Sequence, residues 1–231
     1  MFTLIHYPLC PFSRSIRLAL AECDVEVRFE QEKPWSWNAD FLEVNPAGTL
    51  PVLKLSSGAA LCGAYAISEY LSDTGLDEAG DARAFSFFPG DEAERAEIRR
   101  LVDWFHNKFD DEVTSYLIGE KLHRRFDAGT GGAPDMELVR AGQANIRYHL
   151  SYIEHLTEAR NWLAGEHLSF ADFSAAAHLS CIDYLGDVPW GEAEGAKGWY
   201  ARIKSRPSFR TLLTDRVPGL RPPAEYADPD F

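Results

Sequence analysis

The feature that most constrains the fold is an alternation of short apolar strands with an amphipathic helix in the first thirty residues. Thr3, Ile5 and Tyr7 alternate with Phe2, Leu4 and His6, so both faces of this stretch carry apolar weight, the signature of a central strand. Phe12, Ile16, Ala19, Leu20 and Cys23 then fall at helical spacing, and Val25, Val27 and Phe29 alternate with Glu26 and Arg28. That second period predicts a half-buried strand. Two strands joined by a helix make a βαβ unit, expected to be parallel with a right-handed crossover.

Between the first strand and the helix lies Pro8-Leu9-Cys10-Pro11-Phe12-Ser13-Arg14. Cys10 is therefore placed at a helix N-terminus, where unpaired N–H groups and the positive end of the dipole stabilise a thiolate. Arg14 and Arg17, within two turns, are expected to add to that field. Two readings of Cys10 stand at this point, a low-pKa nucleophile and a small residue that merely packs.

The alternation continues. Asn38 is positioned to cap a short helix running to Glu43 and ending near Asn45-Pro46. Val52 to Leu55 reads as a strand, Ser56-Ser57-Gly58 as its turn, and a partner strand ends near Cys62. Pro51, immediately ahead of a strand, is a natural place for a cis peptide bond that turns the preceding backbone outward. Ala66 to Leu71 reads as another helix.

Composition limits the function classes. The net charge of −13 argues against a nucleic-acid or anionic-membrane surface, because both need clustered Lys and Arg. No apolar run approaches the ~20 residues of a membrane span, and no export signal precedes the first strand. Cys10, Cys23, Cys62 and Cys181 are scattered without a CxxC pair, as expected of free thiols in a reducing cytoplasm. The histidines form no HxxxH cluster, and no metal site is expected.

The order βαβαββα, Cys10-Pro11-Phe12 at the first helix and Gly48-Thr49-Leu50-Pro51-Val52-Leu53 before the third strand resemble the thioredoxin-like domain of cytosolic glutathione transferases. The Cys10 motif is most similar to the omega-type and glutaredoxin-like branch, whose motif cysteine forms a mixed disulfide with glutathione. The resemblance implies a glutathione transferase fold: an α/β thioredoxin-like domain over residues 1–75, a linker over 76–91, an all-helical domain over 92–217 and a tail over 218–231. Within the helical part, Ser169-Phe170-Ala171-Asp172 reads as a capping box, a stability element. Asp73 to Asp91 reads as linker, with Gly75, Gly80, Pro89 and Gly90 among acidic residues and Phe85, Phe87 and Phe88 interspersed.

The resemblance also implies roles residue by residue. Cys10 would be catalytic, with Tyr7 and Ser13 as alternative hydroxyl donors to a glutathione thiolate. Pro51 is the family's cis-proline, with Leu50 or Val52 pairing with the cysteinyl part of glutathione. The family's acidic residue and Ser, which hold the γ-glutamyl group, align with Gly63 and Ala64. Neither makes the contact. Losing a charge pair and a charge-assisted hydrogen bond removes ~2–5 kcal/mol, roughly thirty-fold to more than a thousand-fold in affinity. Trp35, Trp37 and Phe41 are candidates for a hydrophobic subsite or for packing. Arg99-Arg100 and Arg124-Arg125 read as solvated helix faces.

The tail, Pro218 to Phe231, carries Tyr226 and Phe231 among Glu225, Asp228 and Asp230 and has no helical period. It reads either as a strap on its own domain or as a recognition element. With it, the chain is similar to glutathione-transferase-like proteins of alphaproteobacterial cell division that bind the tubulin-like FtsZ. That resemblance implies a cytoplasmic, homodimeric, non-catalytic adaptor with no obligatory cofactor. Glu120, Tyr226, Asp228 and Phe231 would face FtsZ. The competing reading is an enzyme, a glutathione transferase or thiol transferase using Cys10.

Overall fold

The structure, a computed structural model, describes residues 1–74, 85–127 and 131–228. Gly75, Gly80, Asp230 and Phe231, which the sequence places in the linker and the tail, lie outside the described residues.

Strand β1 (Phe2–His6) is central. It pairs in parallel with β2 (Val27–Gln31) across helix α1 (Pro11–Glu22), as the βαβ pattern requires. Helix α2 (Ala39–Val44) leads to β3 (Val52–Lys54), antiparallel to β1, and β3 pairs with β4 (Ala60–Cys62). The sheet order is β2-β1-β3-β4. Helix α3 (Ala64–Thr74) follows. Asn38 caps α2 through the Asp40 N–H at 3.1 Å, as its residue type and position predict. The Leu50–Pro51 peptide bond is cis.

The period-2 reading of β2 needs correction. Val27 is half-buried, but Phe29, on the edge strand β2, is 44% exposed. Phe29 packs instead against His6 and beneath the Arg17 guanidinium.

The linker reading also fails in part. Phe87 and Phe88 are buried against Phe170 and Phe173, and the Phe87 carbonyl accepts the Phe170 N–H at 2.9 Å. Pro and Gly neighbours disguised two core residues as linker.

A capping box of Asp91 and Glu94 opens helix α4 (Glu92–Asp103). The helix continues as a π-helical segment, Trp104–Thr114, then α5 (Ser115–Ile118), a second π segment (Gly119–His123) and α6 (Arg124–Phe126). Junction residues keep right-handed helical dihedrals, so one rod changes its winding without breaking. Such widened turns shift which side chains share a face, and they are frequent at functional sites.

Helix α7 (Met136–Ala159) buries Ile146, Leu150, Ile153 and Leu156 along one stripe. Helix α8 (Phe170–Leu185) is buried on every side from Phe170 to Tyr184, its polar Asp172, Ser174, His178, Ser180 and Asp183 included, the mark of a helix inside the core. It packs on α1, joining the sheet layer to the helical layer. The Ser169/Asp172 capping box starts it, and Gly186 ends it in the left-handed region at φ 73°. Helices α9 (Glu194–Lys204) and α10 (Arg210–Leu213) complete the helical layer.

Candidate functional site

Cys10 is the N-cap of α1, with extended dihedrals and its Sγ accepting the Ser13 N–H at 3.4 Å. The placement matches the sequence, but the electrostatics do not. Burial pushes the Cys10 thiol up, more than the Ser13 hydrogen bonds lower it, and the Asp110 charge pushes the same way. Cys10 is held as a thiol.

The arginines expected to assist it are turned elsewhere. Arg14 is fully buried and donates to the Pro8 carbonyl (2.6 Å), Ser180 Oγ (2.8 Å), the Tyr226 hydroxyl (3.1 Å) and Asp215 (3.1 Å). Arg17 grips both Asp215 oxygens at 2.8 and 3.0 Å and the Thr211 carbonyl. Both guanidiniums tie α1 to the chain's last sixty residues. Neither serves the thiol.

Two cavities meet at Phe12, Thr49 and Leu50. The smaller, about 290 Å³, is lined by Cys10, Gly48, Asp110, Thr114 and His123. The larger, about 600 Å³, is lined by Cys62, Gly63, Ala64, Tyr65, Asp103, His106 and Asn107. Neither is lined by a Lys or Arg. The fold therefore brings together Cys10, Leu50, Gly63 and Ala64 as the sequence predicted. Val52 is fully buried in register with Ile5 and Cys62, so Leu50 faces the cavities and Val52 does not. Pro51 contributes its carbonyl to the Gly63 N–H at 2.9 Å, which fixes the turn into α3.

Tyr7 and Ser13 line neither cavity. Tyr7 is buried edge-on against Trp35, and burial pushes its hydroxyl up to about 12. Ser13 Oγ is buried beside Cys10. Trp35 packs against Tyr7, His123 and Phe126, and Phe41 is buried, whereas Trp37 is 74% exposed at φ 48°. The three aromatics thus form no common subsite.

The anchor for a γ-glutamyl group is reduced to the start of α3. Gly63 sits at φ 88°, and a Cβ added there meets nothing within 4 Å. Space for the missing acid exists; the charge does not. Only the N–H groups of the first turn of α3 remain to receive a carboxylate.

One constellation was not read from the sequence. His106 Nδ1 lies 3.1 Å from His178 Nε2, and His178 Nδ1 lies 2.9 Å from Thr114 Oγ1 and 3.8 Å from Asp110. Phe12 packs on both rings. Burial holds His106 down to about 3 and His178 well below its ordinary value, so both imidazoles are neutral. Burial, helped by Asp111, pushes Asp110 up to about 7. The i, i+4 spacing of His106, Asp110 and Thr114 was visible, but their partner on α8 was not.

Of the residues expected to face a partner, Asp228 is exposed. Tyr226 is corrected outright. It is 1% exposed, its hydroxyl donates to the Leu212 carbonyl at 3.1 Å and accepts from Arg14, and its ring meets Tyr184 edge-on. Glu120 is largely covered, its side chain 12% exposed, and accepts from Arg124 and from the Asp135 N–H at 2.7 Å. The tail from Pro218 to Ala227 is a strap fastened to its own domain, ending in a 3₁₀ turn, Ala224–Ala227.

Comparison with known proteins agrees with this architecture. The glutathione S-transferase N-terminal domain family matches residues 9–74 and the C-terminal domain family residues 130–207. FtsZ-localized protein A of Caulobacter vibrioides is 46% identical over 99% of this chain and 98% of its own length. Glutathione S-transferase 2 of Saccharomyces cerevisiae is 27% identical over 90% of this chain and 88% of its own. The solved structure of FzlA from C. crescentus superposes with a TM-score of 0.92 at 45% identity, covering 100% of this chain and 99% of that one. A glutathione S-transferase from Rhodospirillum rubrum gives 0.93 at 47%, covering 100% of both chains. The chain belongs to the glutathione S-transferase family.

Proposed function

We propose that this member of the family is a homodimeric adaptor that binds FtsZ filaments in cell division and carries no strong glutathione chemistry. The observation that carries the reading is its full-length similarity, at 46% identity, to a protein named for its localisation to FtsZ. The site supports it. Gly63 and Ala64 offer no ionic contact, no cation lines either cavity, and burial keeps Cys10 protonated. Among the described residues no helix is long and apolar enough to cross a membrane, and no His, Cys, Asp and Glu group suits a metal ion. A two-fold pair of contact surfaces lets one dimer hold two filament subunits, and it raises avidity without new contacts. The excess of acidic residues predicts binding that weakens with salt.

Co-sedimentation with FtsZ filaments tests this reading, with Asp228→Lys as the surface variant. The expected result is pelleting of the wild type and loss for the variant. Absence of wild-type pelleting at low salt overturns the reading.

One observation favours the enzyme alternative: Cys10 still caps α1 with Leu50 and cis-Pro51 alongside, the geometry a glutathionyl sulfur needs. Calorimetric titration with glutathione, together with thiol-transferase and chlorodinitrobenzene assays of wild type and Cys10→Ala, decides it. Micromolar binding with Cys10-dependent turnover makes the protein an enzyme.

A further inference from the structure

A third cavity, about 370 Å³, lies on the helical layer away from Cys10. Tyr184, Leu185 and Leu220 form its apolar lining, and Lys121, Arg125 and Arg221 stand around it. Three cations converging on one notch run against a chain of net charge −13. Lys121 donates to both Asp187 oxygens at 2.7 and 2.6 Å, and Asp187 is held in turn by Gln143 at 2.9 Å. Arg125 and Arg221 are exposed and have no ion pair among the described residues. The Arg125 guanidinium rests near the Phe126 ring, 5.6 Å from its centroid.

The notch is preformed. The Tyr184 hydroxyl accepts the Val217 N–H at 3.1 Å and donates to the Leu220 carbonyl at 3.3 Å, clamping a turn that is closed by a Leu220 N–H to Val217 carbonyl bond of 3.0 Å. Gly219 makes that turn at φ 81°, and a side chain there would touch Phe126 at 3.4 Å. Tyr184 itself is fully buried. An apolar floor on fixed backbone, with guanidiniums at the edge that form no ion pair among the described residues, is chemistry for carboxylates flanking an apolar side chain. A bare phosphate would leave the floor uncovered, and a basic partner would meet like charge.

We infer that this cavity docks an acidic peptide segment of a protein partner, an apolar side chain resting on the partly exposed Leu185 and Leu220 while its neighbouring carboxylates pair with Arg125 and Arg221. The identity of that partner as FtsZ rests on the adaptor reading; the class of segment rests on the cavity alone. Arg221 lies seven residues before the exposed Asp228. The partner surface would therefore carry both signs, which fixes register better than one sign alone.

The test uses the full chain and an Arg125→Glu/Arg221→Glu variant, with thermal unfolding to confirm that the variant folds like the wild type. Fluorescence anisotropy with a fluorescein-labelled Asp-Asp-Leu-Glu-Phe-Asp peptide should show salt-sensitive binding. Charge reversal should weaken it roughly ten- to a hundred-fold, and a lysine-for-acid control peptide should not bind. No binding to the wild type, or equal binding to the variant, overturns the assignment. In FtsZ co-sedimentation, loss of pelleting by the double variant supports it. Full pelleting of the double variant alongside failure of Asp228→Lys overturns FtsZ as the partner docked in the notch while leaving the adaptor reading intact. Arginine-dependent peptide binding without any FtsZ pelleting supports the notch and removes the adaptor reading.

Discussion

Replacing Arg14 by Met should unfasten the tail from the first helix without altering Cys10. The guanidinium is wholly buried and serves four acceptors on three distant segments besides its own strand end. Truncating one partner of a buried ion pair costs about 3–5 kcal/mol. Asp215 keeps Arg17, Ser180 Oγ still donates to the Ala177 carbonyl, and the Tyr226 hydroxyl still reaches Leu212. The Pro8 carbonyl has no such reserve, and an unsatisfied buried acceptor costs about 1–3 kcal/mol. Together these place the loss near 4–8 kcal/mol, roughly 8–32 °C in Tm for a chain of this size, a large fraction of the ~5–15 kcal/mol that holds a domain folded. Thermal unfolding followed by circular dichroism measures it, with Arg14→Lys expected between wild type and Met. Alkylation of Cys10 against pH supplies the second readout, which should be unchanged because the guanidinium faces the tail. A Tm loss under about 3 °C, or a displacement of the Cys10 profile by about half a pH unit or more, refutes the assignment of Arg14 to the strap.

Asp172→Ala should cost about 3–5 kcal/mol in urea unfolding, since its carboxylate serves the Leu163 and Ser169 N–H groups and Trp199 Nε1 at 3.0–3.1 Å; Trp199→Phe should recover part of that loss by removing one orphaned donor. Asp110 has its folded-state pKa raised from 3.8 to about 7, so its contribution is fully present below 3.8 and is lost as pH rises through 7. Asp110→Asn should therefore stabilise the protein above pH 7 by roughly 2–4 kcal/mol relative to wild type and leave acid stability unchanged; equal stability of the two at pH 8 contradicts this. Ala64→Ser places a hydroxyl at the first residue of α3, and glutathione affinity by calorimetry should rise about ten-fold, with no change meaning that no carboxylate binds there.

How much was legible follows from what each residue depends on. The β1–α1 junction, the Asn38 cap, the Ser169/Asp172 box and the cis bond at Pro51 are decided within a few residues, and local chemistry suffices to read them. Phe29 was misplaced because alternation alone does not tell an edge strand from a covered one. Phe87 and Phe88 were hidden by the Pro and Gly beside them. Arg14 and His106 were unreadable for a different reason: their partners are 166, 201 and 212 residues away for Arg14 and 72 for His106. No period or motif records such pairings. Tyr226 belongs to the same class, since an aromatic in a proline-rich acidic tail looks like a free contact until Arg14 reaches it.

The fate of Cys10 turns on a comparison of magnitudes. A helix N-terminus favours a thiolate by about 0.3–2 kcal/mol, which is at most about one and a half pKa units. Burial opposes it, and on this half-buried thiol desolvation outweighs the hydrogen bonds that favour the charged form. A cysteine at this position therefore stays a thiol unless a cation is brought to it. Here the two arginines of α1 are spent on Asp215, and the ionisable groups that share the cavity with Cys10 are Asp110 and His123. Returning an arginine to the thiol would mean taking it from the strap that fastens the tail, so the helix that carries the thiol cannot both activate it and hold Tyr226 in place. The chain has settled that competition in favour of the strap, and it leaves Asp228 standing on a fixed base at the surface.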